Sequence, residues 1–279
     1  MDCGQRSVHP YRGRSGVTVK SWRQRLRKAR PLGAALWLAG SLLAVSCAHL
    51  PADLLYHVDV APQPILLQQD AYYFDLEDST TVFECEGFRV KVRYQTDAEL
   101  NQELASDTFR EPNLNPFTYG ADRDLDRGYA PPRFTVFQVT VVNQAYPKVM
   151  IDPARVVLHT DRGARCTYWD VRQRDAANSF EGYYMERRGQ GGNEDYYFQQ
   201  RLGLVRATLY RRNTFVYQGE SYTGKVVFAP LHPDVREMAL TIPGVVLRVD
   251  AFDRPTRTVD AEFRLNVEQR VAERVVERE

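Results

Sequence analysis

Three carboxylates at alternate positions, Asp122, Asp124 and Asp126, precede Gly128. Oxygens spaced this way can converge on calcium, which takes about six to eight such ligands. An EF-hand loop, however, needs glycine at its sixth position and glutamate at its twelfth, where this chain has Arg127 and Arg133. The interleaved arginines favour a solvated, self-paired loop over a cation site. Gly219-Glu220-Ser221 opens like a nucleophile elbow, but Thr223 stands where the closing glycine belongs, so the segment reads as a turn feeding a strand. Gly189-Gln-Gly-Gly192 lacks the Lys-Ser/Thr that a phosphate loop requires and reads as a loop tip. His49, His57, His159 and His232 show neither H-x-x-x-H nor H-E-x-x-H spacing. No catalytic residue is assigned. Tyr183, Tyr184, Arg187, Arg188, Tyr196 and Tyr197 flank the glycine-rich tip, and Tyr with Arg is favoured at recognition surfaces. They are candidates for contact with a protein or a glycan; the competing reading is that the tyrosines pack this segment onto the rest of the domain.

Cys47 offers chemistry of another kind. Arg23, Arg25, Arg27, Lys28 and Arg30 form a dense basic patch, and an apolar run from Leu32 to Ser46 leads directly into the cysteine. A basic stretch, an apolar stretch and small residues at a cleavage point make a secretory signal. Ending on Leu43-Ala-Val-Ser-Cys47, the segment resembles a bacterial lipoprotein signal, with Ala44 in the place of the usual leucine. That resemblance implies a thioether-linked diacylglycerol on Cys47 and usually an acylated amine, the multiple chains that stable anchoring needs. It also implies the outer membrane, since Ala48 rather than an aspartate follows the cysteine. The alternatives are cleavage without lipidation and a retained anchor, for which about 15 apolar residues fall short of the roughly 20 that span a bilayer. Residues 1–46 are read as the signal peptide, with translation starting near Val17 or Val19. Residues 1–47 hold nine of the 37 Lys and Arg and one of the 36 Asp and Glu, so the mature part keeps 28 basic and 35 acidic residues. That acidic balance argues against nucleic-acid binding, which depends on basic patches.

The elements that would position these groups read mostly as strands. Phe88, Val90, Val92 and Tyr94 alternate with Arg89, Lys91 and Arg93 in a half-buried strand. Residues 134–143 form the strongest strand, apolar on both faces and therefore central in a sheet. Shorter strands are predicted at 155–159 and 165–169 around a turn at 160–163, then at 222–228, 237–242, 245–250 and 256–263. Thr96 with Glu99 predicts one short capped helix over 97–104. Pro51, Pro62 and Pro64 make residues 47–70 read as a tether. Residues 172–213 read as a long inserted loop. The segment 266–279, with Val267, Val271 and Val275 among alternating Glu and Arg, reads as a charged tail that is either a short helix or frayed. Beyond Cys47 only Cys85 and Cys166 remain; in an exported chain they point to one disulfide, the alternative being two buried free thiols.

Val139-Thr-Val-Val-Asn143, Ile151-Asp-Pro153, the Asp161-Arg-Gly163 turn before Tyr168, and Gly219-Glu-Ser-Tyr-Thr-Gly-Lys-Val-Val-Phe228 occur in that order. The series resembles the immunoglobulin-like domain recurrent in exported bacterial lipoproteins. The expectation is therefore a mainly β chain, with an immunoglobulin-like antiparallel β-sandwich over 71–265. Its expected role is non-catalytic, as an accessory subunit or scaffold of the cell envelope. The membrane, through the lipid anchor, and an envelope protein are its expected partners, with no cofactor beyond the diacylglycerol on Cys47. A hydrolase with a carboxylate-based site and a calcium-stabilised adhesion module are the alternatives.

Overall fold

The computed structural model describes residues 54–63, 70–105, 114–120, 126–172, 178–187 and 194–273. In chain order the strands are β1 (Leu54–Pro62), β2 (Tyr72–Asp75), β3 (Thr80–Cys85), β4 (Phe88–Gln95), β5 (Thr135–Asn143), β6 (Lys148–Met150), β7 (Val157–Thr160), β8 (Arg165–Thr167), β9 (Phe215–Tyr217), β10 (Ser221–Phe228), β11 (Glu237–Val249) and β12 (Pro255–Glu273). Helix α1 is Asp97–Glu103, α2 is Phe180–Glu186 and α3 is Glu194–Thr208. One antiparallel sheet has the order β10-β5-β4-β3-β2. The other runs β1-β12-β11-β6-β9, with β7 pairing to β11 and β8 to β7. Val90, Val139 and Val141 from the first sheet and Leu240, Ala261 and Phe263 from the second meet in one apolar core.

The residues of the recurring motifs each do local structural work. The fully buried Asn143 donates through Nδ2 to the carbonyls of Tyr146 (2.7 Å) and Val216 (2.9 Å), and its Oδ1 accepts from Tyr146 N–H. Asp152 caps the 3-10 turn Pro153–Arg155, with proline at the first position where its missing N–H costs nothing. Gly163 takes φ +78° in the tight turn between β7 and β8. Val226 and Phe228 are buried, as their alternation predicts.

Gly224 meets a different demand. The chain leaving α3 runs beside the edge strand β10, and Tyr210 N–H donates to the Lys225 carbonyl at 2.9 Å. A Cβ on Gly224 would lie 2.4 Å from Tyr210 Cα, so only glycine allows this backbone to cover the edge.

Several expectations are corrected. The Leu54–Pro62 stretch of the tether is an edge strand paired along its length with β12. Its Tyr56, Val58 and Val60 are half-buried while Leu55, Asp59 and Ala61 are exposed, and Pro62 sits at the strand end, where a ladder donor is dispensable. The C-terminal segment, expected as a helix or frayed, continues β12 as far as Glu273. The strands predicted at 237–242 and 245–250 are one strand with a register shift between Ile242 and Val245. The inserted loop carries α2 and α3: Phe198, Leu202, Val205 and Leu209 recur at helical spacing and are buried. Cys85 and Cys166 are free thiols, not a bridge. Cys85 ends β3 at a hairpin of the five-stranded sheet, while Cys166 lies in β8, at the margin of the other sheet. Cys85 and Phe88 face each other across a two-residue turn, Glu86 (φ 51°) and Gly87 (φ 79°), where the chain reverses.

Gly224→Ala is expected to destabilise the fold by about 1–3 kcal/mol, because its methyl group meets backbone rather than a side chain that can swing away. Urea unfolding measures this; a loss under about 0.5 kcal/mol would mean that the Tyr210 backbone yields freely.

Candidate functional site

The five-stranded sheet turns two unlike faces outward and inward. Alternation sends Val90 and Val92 into the core and Arg89, Lys91 and Arg93 outward. Register then aligns the outward residues of three strands into rows. Lys91 stands opposite Thr140, itself opposite Thr223, and Arg93 stands opposite Gln138, itself opposite Lys225. The next row, Gln95, Val136 and Val227, is buried, and Phe134 follows it beneath Trp169, Phe180 and Tyr183. The outward face is thus polar at one end and covered by aromatic residues, including two of α2, at the other.

The polar end holds a groove of about 510 Å³ whose lining includes Asp78, Lys91, Arg93, Gln138, Thr140 and Ser221. Its charges are paired. Lys91 Nζ lies 2.8 Å from Asp78 and 3.2 Å from Asp75, and Arg93 lies 3.1 Å from Glu99. Thr140 and Thr223 share a 2.9 Å hydroxyl hydrogen bond. The hydrogen bond from Lys91 holds the Asp75 carboxyl below the ordinary carboxylate range, and Asp78 pulls the Lys91 ammonium up.

Lys225 marks the border between the two ends and is 4 % exposed. Its Nζ donates to Gln95 Oε1 at 2.7 Å and to both carboxylate oxygens of Glu103 at 2.7 and 2.8 Å. Burial lowers its pKa, against the pull of Glu103. Glu103 is presented by α1, whose start is the expected capping box: Glu99 N–H donates to Thr96 Oγ1, and Thr96 N–H to Glu99 Oε2 at 2.8 Å.

The contact residues expected from the sequence lie on or beside α2 and α3 and differ in burial. Tyr184 is buried; its hydroxyl donates to the Pro116 carbonyl at 2.6 Å and accepts from Arg133 at 3.2 Å. Tyr183 is half-buried, with the Arg187 guanidinium 3.6 Å from its ring centroid, and burial raises its pKa. Tyr197 is half-buried, and Tyr196 is 53 % exposed beside a shallow groove along α3 with Gln199, Gln200 and Gly203. Arg188 lies outside the described residues. Tyr183 and Tyr184 therefore serve packing first, while Tyr196 and Arg187 are exposed.

Of the calcium candidates, Asp122 and Asp124 lie outside the described residues, as does Cys47, and Asp126 is in an exposed turn. Among the described residues no three His, Cys, Asp or Glu side chains gather where one metal ion would reach them. The groove was not anticipated as a site. Its signal was the shared parity of Lys91, Arg93, Gln138, Thr140 and Lys225, which becomes visible only once the strand register is known. One unanticipated carboxyl is Asp97, half-buried at the first position of α1, where burial pushes its pKa up to about 7 against the pull of Arg133.

A separate cluster fastens the sheets together. Arg257 of β12 donates to both oxygens of Glu86, at 2.8 and 2.9 Å, and Tyr146 donates to the same carboxylate at 2.7 Å. These bonds, Arg257 first, hold the Glu86 pKa down to about 2. Comparison with protein-family models, curated proteins and solved structures finds no match.

Two outcomes follow from these charges. Because Glu86 is more acidic folded than unfolded, its contribution to stability is complete above the ordinary glutamate range, near 4.5, and is lost as pH falls toward about 2. Thermal melts of Glu86→Gln should show a smaller loss of stability across that window than wild type; parallel curves would show that the clasp contributes nothing. Glu103→Ala, which leaves the Lys225 ammonium buried without its counter-charge, should cost about 1–3 kcal/mol, and Lys225→Met should cost less. Denaturant titration of both variants checks the ranking.

Proposed function

We propose that this chain is a lipid-anchored cell-envelope protein with a binding or structural role, an accessory subunit or scaffold, built on an immunoglobulin-like sandwich. The observation that carries the reading is the polar groove on the five-stranded sheet. Lys91 and Arg93 in it are each held by carboxylates, and Thr140 and Gln138 stand beside them on β5. Side chains fixed in this way form a pre-organised hydrogen-bonding surface with a small excess of carboxylates, which suits a polar protein surface or a glycan. The Cys47 signal supports the envelope and the lipid. The motif residues Asn143, Asp152, Gly163 and Gly224, each at a turn, a cap or a close approach, support the immunoglobulin-like reading.

A second reading, a hydrolase with a carboxylate-based site, is favoured by Asp97 alone. A carboxyl with a pKa near 7 is about half protonated at neutral pH and can give its proton to a leaving group.

Affinity capture from cross-linked envelopes tests the first reading, with wild type, Cys47→Ser and Lys91→Glu compared. A defined partner held by wild type and lost with Lys91→Glu is the expected outcome. Recovery of that partner by Cys47→Ser as well would mean that the lipid only concentrates a binding domain. Loss of no partner on charge reversal, or no partner at all, would count against the groove. A hydrolytic activity abolished by Asp97→Asn, with a pH limb near 7, would move the assignment to the second reading.

A further inference from the structure

The distance between Cys47 and the first strand limits how the domain can sit on a membrane. Six residues lie between Cys47 and Leu54, and the seven steps of a fully extended chain cover at most about 3.6 Å each, so the lipid-bearing residue stays within about 25 Å of Leu54. Leu54 pairs with Glu273, the last residue of β12. The 19 residues of β12, at about 3.3 Å each, extend roughly 60 Å, and the opposite end adjoins the hairpin turn that carries Phe252. The leash is less than half that length.

The residues at the Leu54 end have the chemistry of a bilayer surface in the right order. Leu55 and Val271 are 44 % and 43 % exposed, on opposite faces of the β1/β12 ribbon: Leu55 stands opposite Ala272 and Tyr56 opposite Val271. Next along the Leu55 face come His57 and Arg270, opposite each other, and then Asp59 and Glu268. On the Leu55 face the order from apolar residues to the His57/Arg270 row to the Asp59/Glu268 row matches acyl chains, lipid phosphates and water in turn. The exposed carboxylate of Glu273 at the end of the opposite face, with Asp59 and Glu268, keeps the tip from entering beyond the interface. Arg270 has a weak partner, Asp59 at 3.5 Å, in an exposed pair that a phosphate can replace. Tyr56 stacks on Tyr129 with ring centroids 5.2 Å apart, and tyrosines are favoured at headgroup depth.

The geometry points to a phospholipid surface as the occupant of this tip: the Leu54/Glu273 end of the ribbon rests on the bilayer, with Leu55 and Val271 in the interface and His57 and Arg270 at the phosphates. The inference rests on the lipid at Cys47. The domain then stands with the Phe252 hairpin pointing away from the membrane, although Phe252, at 79 % exposed, is the more exposed apolar side chain.

The test uses the full chain, processed in a bacterial host, purified from membranes and reconstituted into phosphatidylethanolamine/phosphatidylglycerol vesicles containing phosphatidylcholine with brominated acyl chains. Leu55→Trp and Phe252→Trp are compared; the buried Trp169 gives both the same background. Mass spectrometry of the amino-terminal peptide reads the lipid on Cys47 in the same samples. The expected result is loss of the added fluorescence of Leu55→Trp to the bromines, no loss for Phe252→Trp, and a weaker loss when Arg270→Glu is combined with Leu55→Trp. With lipid present on Cys47, equal or greater quenching at position 252, or quenching at neither position, overturns the orientation and leaves the anchored function standing. Absence of lipid on Cys47 overturns both.

Discussion

Strand β12 is the element on which the rest of the molecule depends. Its first half pairs with β11 and its second half with β1, meeting near Leu265 and Asn266, so one strand joins the edge strand β1 to the rest of the seven-stranded sheet. It also receives the attachments from the other sheet. Glu262 N–H donates to the Tyr72 hydroxyl at 3.0 Å, the rings of Tyr72 and Phe263 meet edge to face, and Arg257 holds Glu86 at the turn between β3 and β4. Apart from such bonds, among them that of Asn143 in β5 to the Val216 carbonyl in β9, face-to-face sheets share non-directional apolar contacts, which leave sliding cheap. Hydrogen bonds near the two halves of the β3/β4/β2 unit fix the relative register of the sheets. Since Arg257, Glu262 and Phe263 all lie on β12, the long strand transmits that register to β1 at its far end.

The sequence made some of this legible. Where a signal is local, it held: Thr96 and Glu99 form the capping box, and the two apolar faces of 134–143 do mark a strand flanked on both sides. Where the determinant is a distant partner, the sequence misled. Tyr56, Val58 and Val60 carry a strand pattern that three prolines obscured, and the pattern has meaning only because β12 lies beside it to supply hydrogen bonds. The reverse holds for 266–273, where valines four apart suit a helix but the register with β1 places them in a sheet. Cys85 and Cys166 illustrate the same gap, since their number invites a bridge while their separation between sheets is a property of topology. The groove was legible residue by residue and illegible as a site, because its rows are defined by the pairing of β4 with β5 and of β5 with β10.

That groove occupies the part of the outward face that Trp169, the inserted segment and α1 leave uncovered. A five-stranded sheet with one face on the core presents its other face to water unless something covers it. Here the outward rows grade from Arg89, Val142 and Ser221 through Lys91 and Arg93 to Gln95, Val136 and Val227, and then to Phe134. The aromatic cluster of Trp169, Phe180 and Tyr183 covers the apolar end over Phe134, and α1 brings Glu103 to the boundary. Lys225 sits on that boundary, and its position explains why a lysine tolerates burial there: its stem lies in the row next to the apolar end while its ammonium reaches Glu103 and Gln95. A hydrophobic residue at 225 would extend the apolar area toward the open rows, and an unpaired charge would pull the covering layer apart. The paired lysine does neither, so it fixes the line at which covered surface ends and the hydrogen-bonding surface begins.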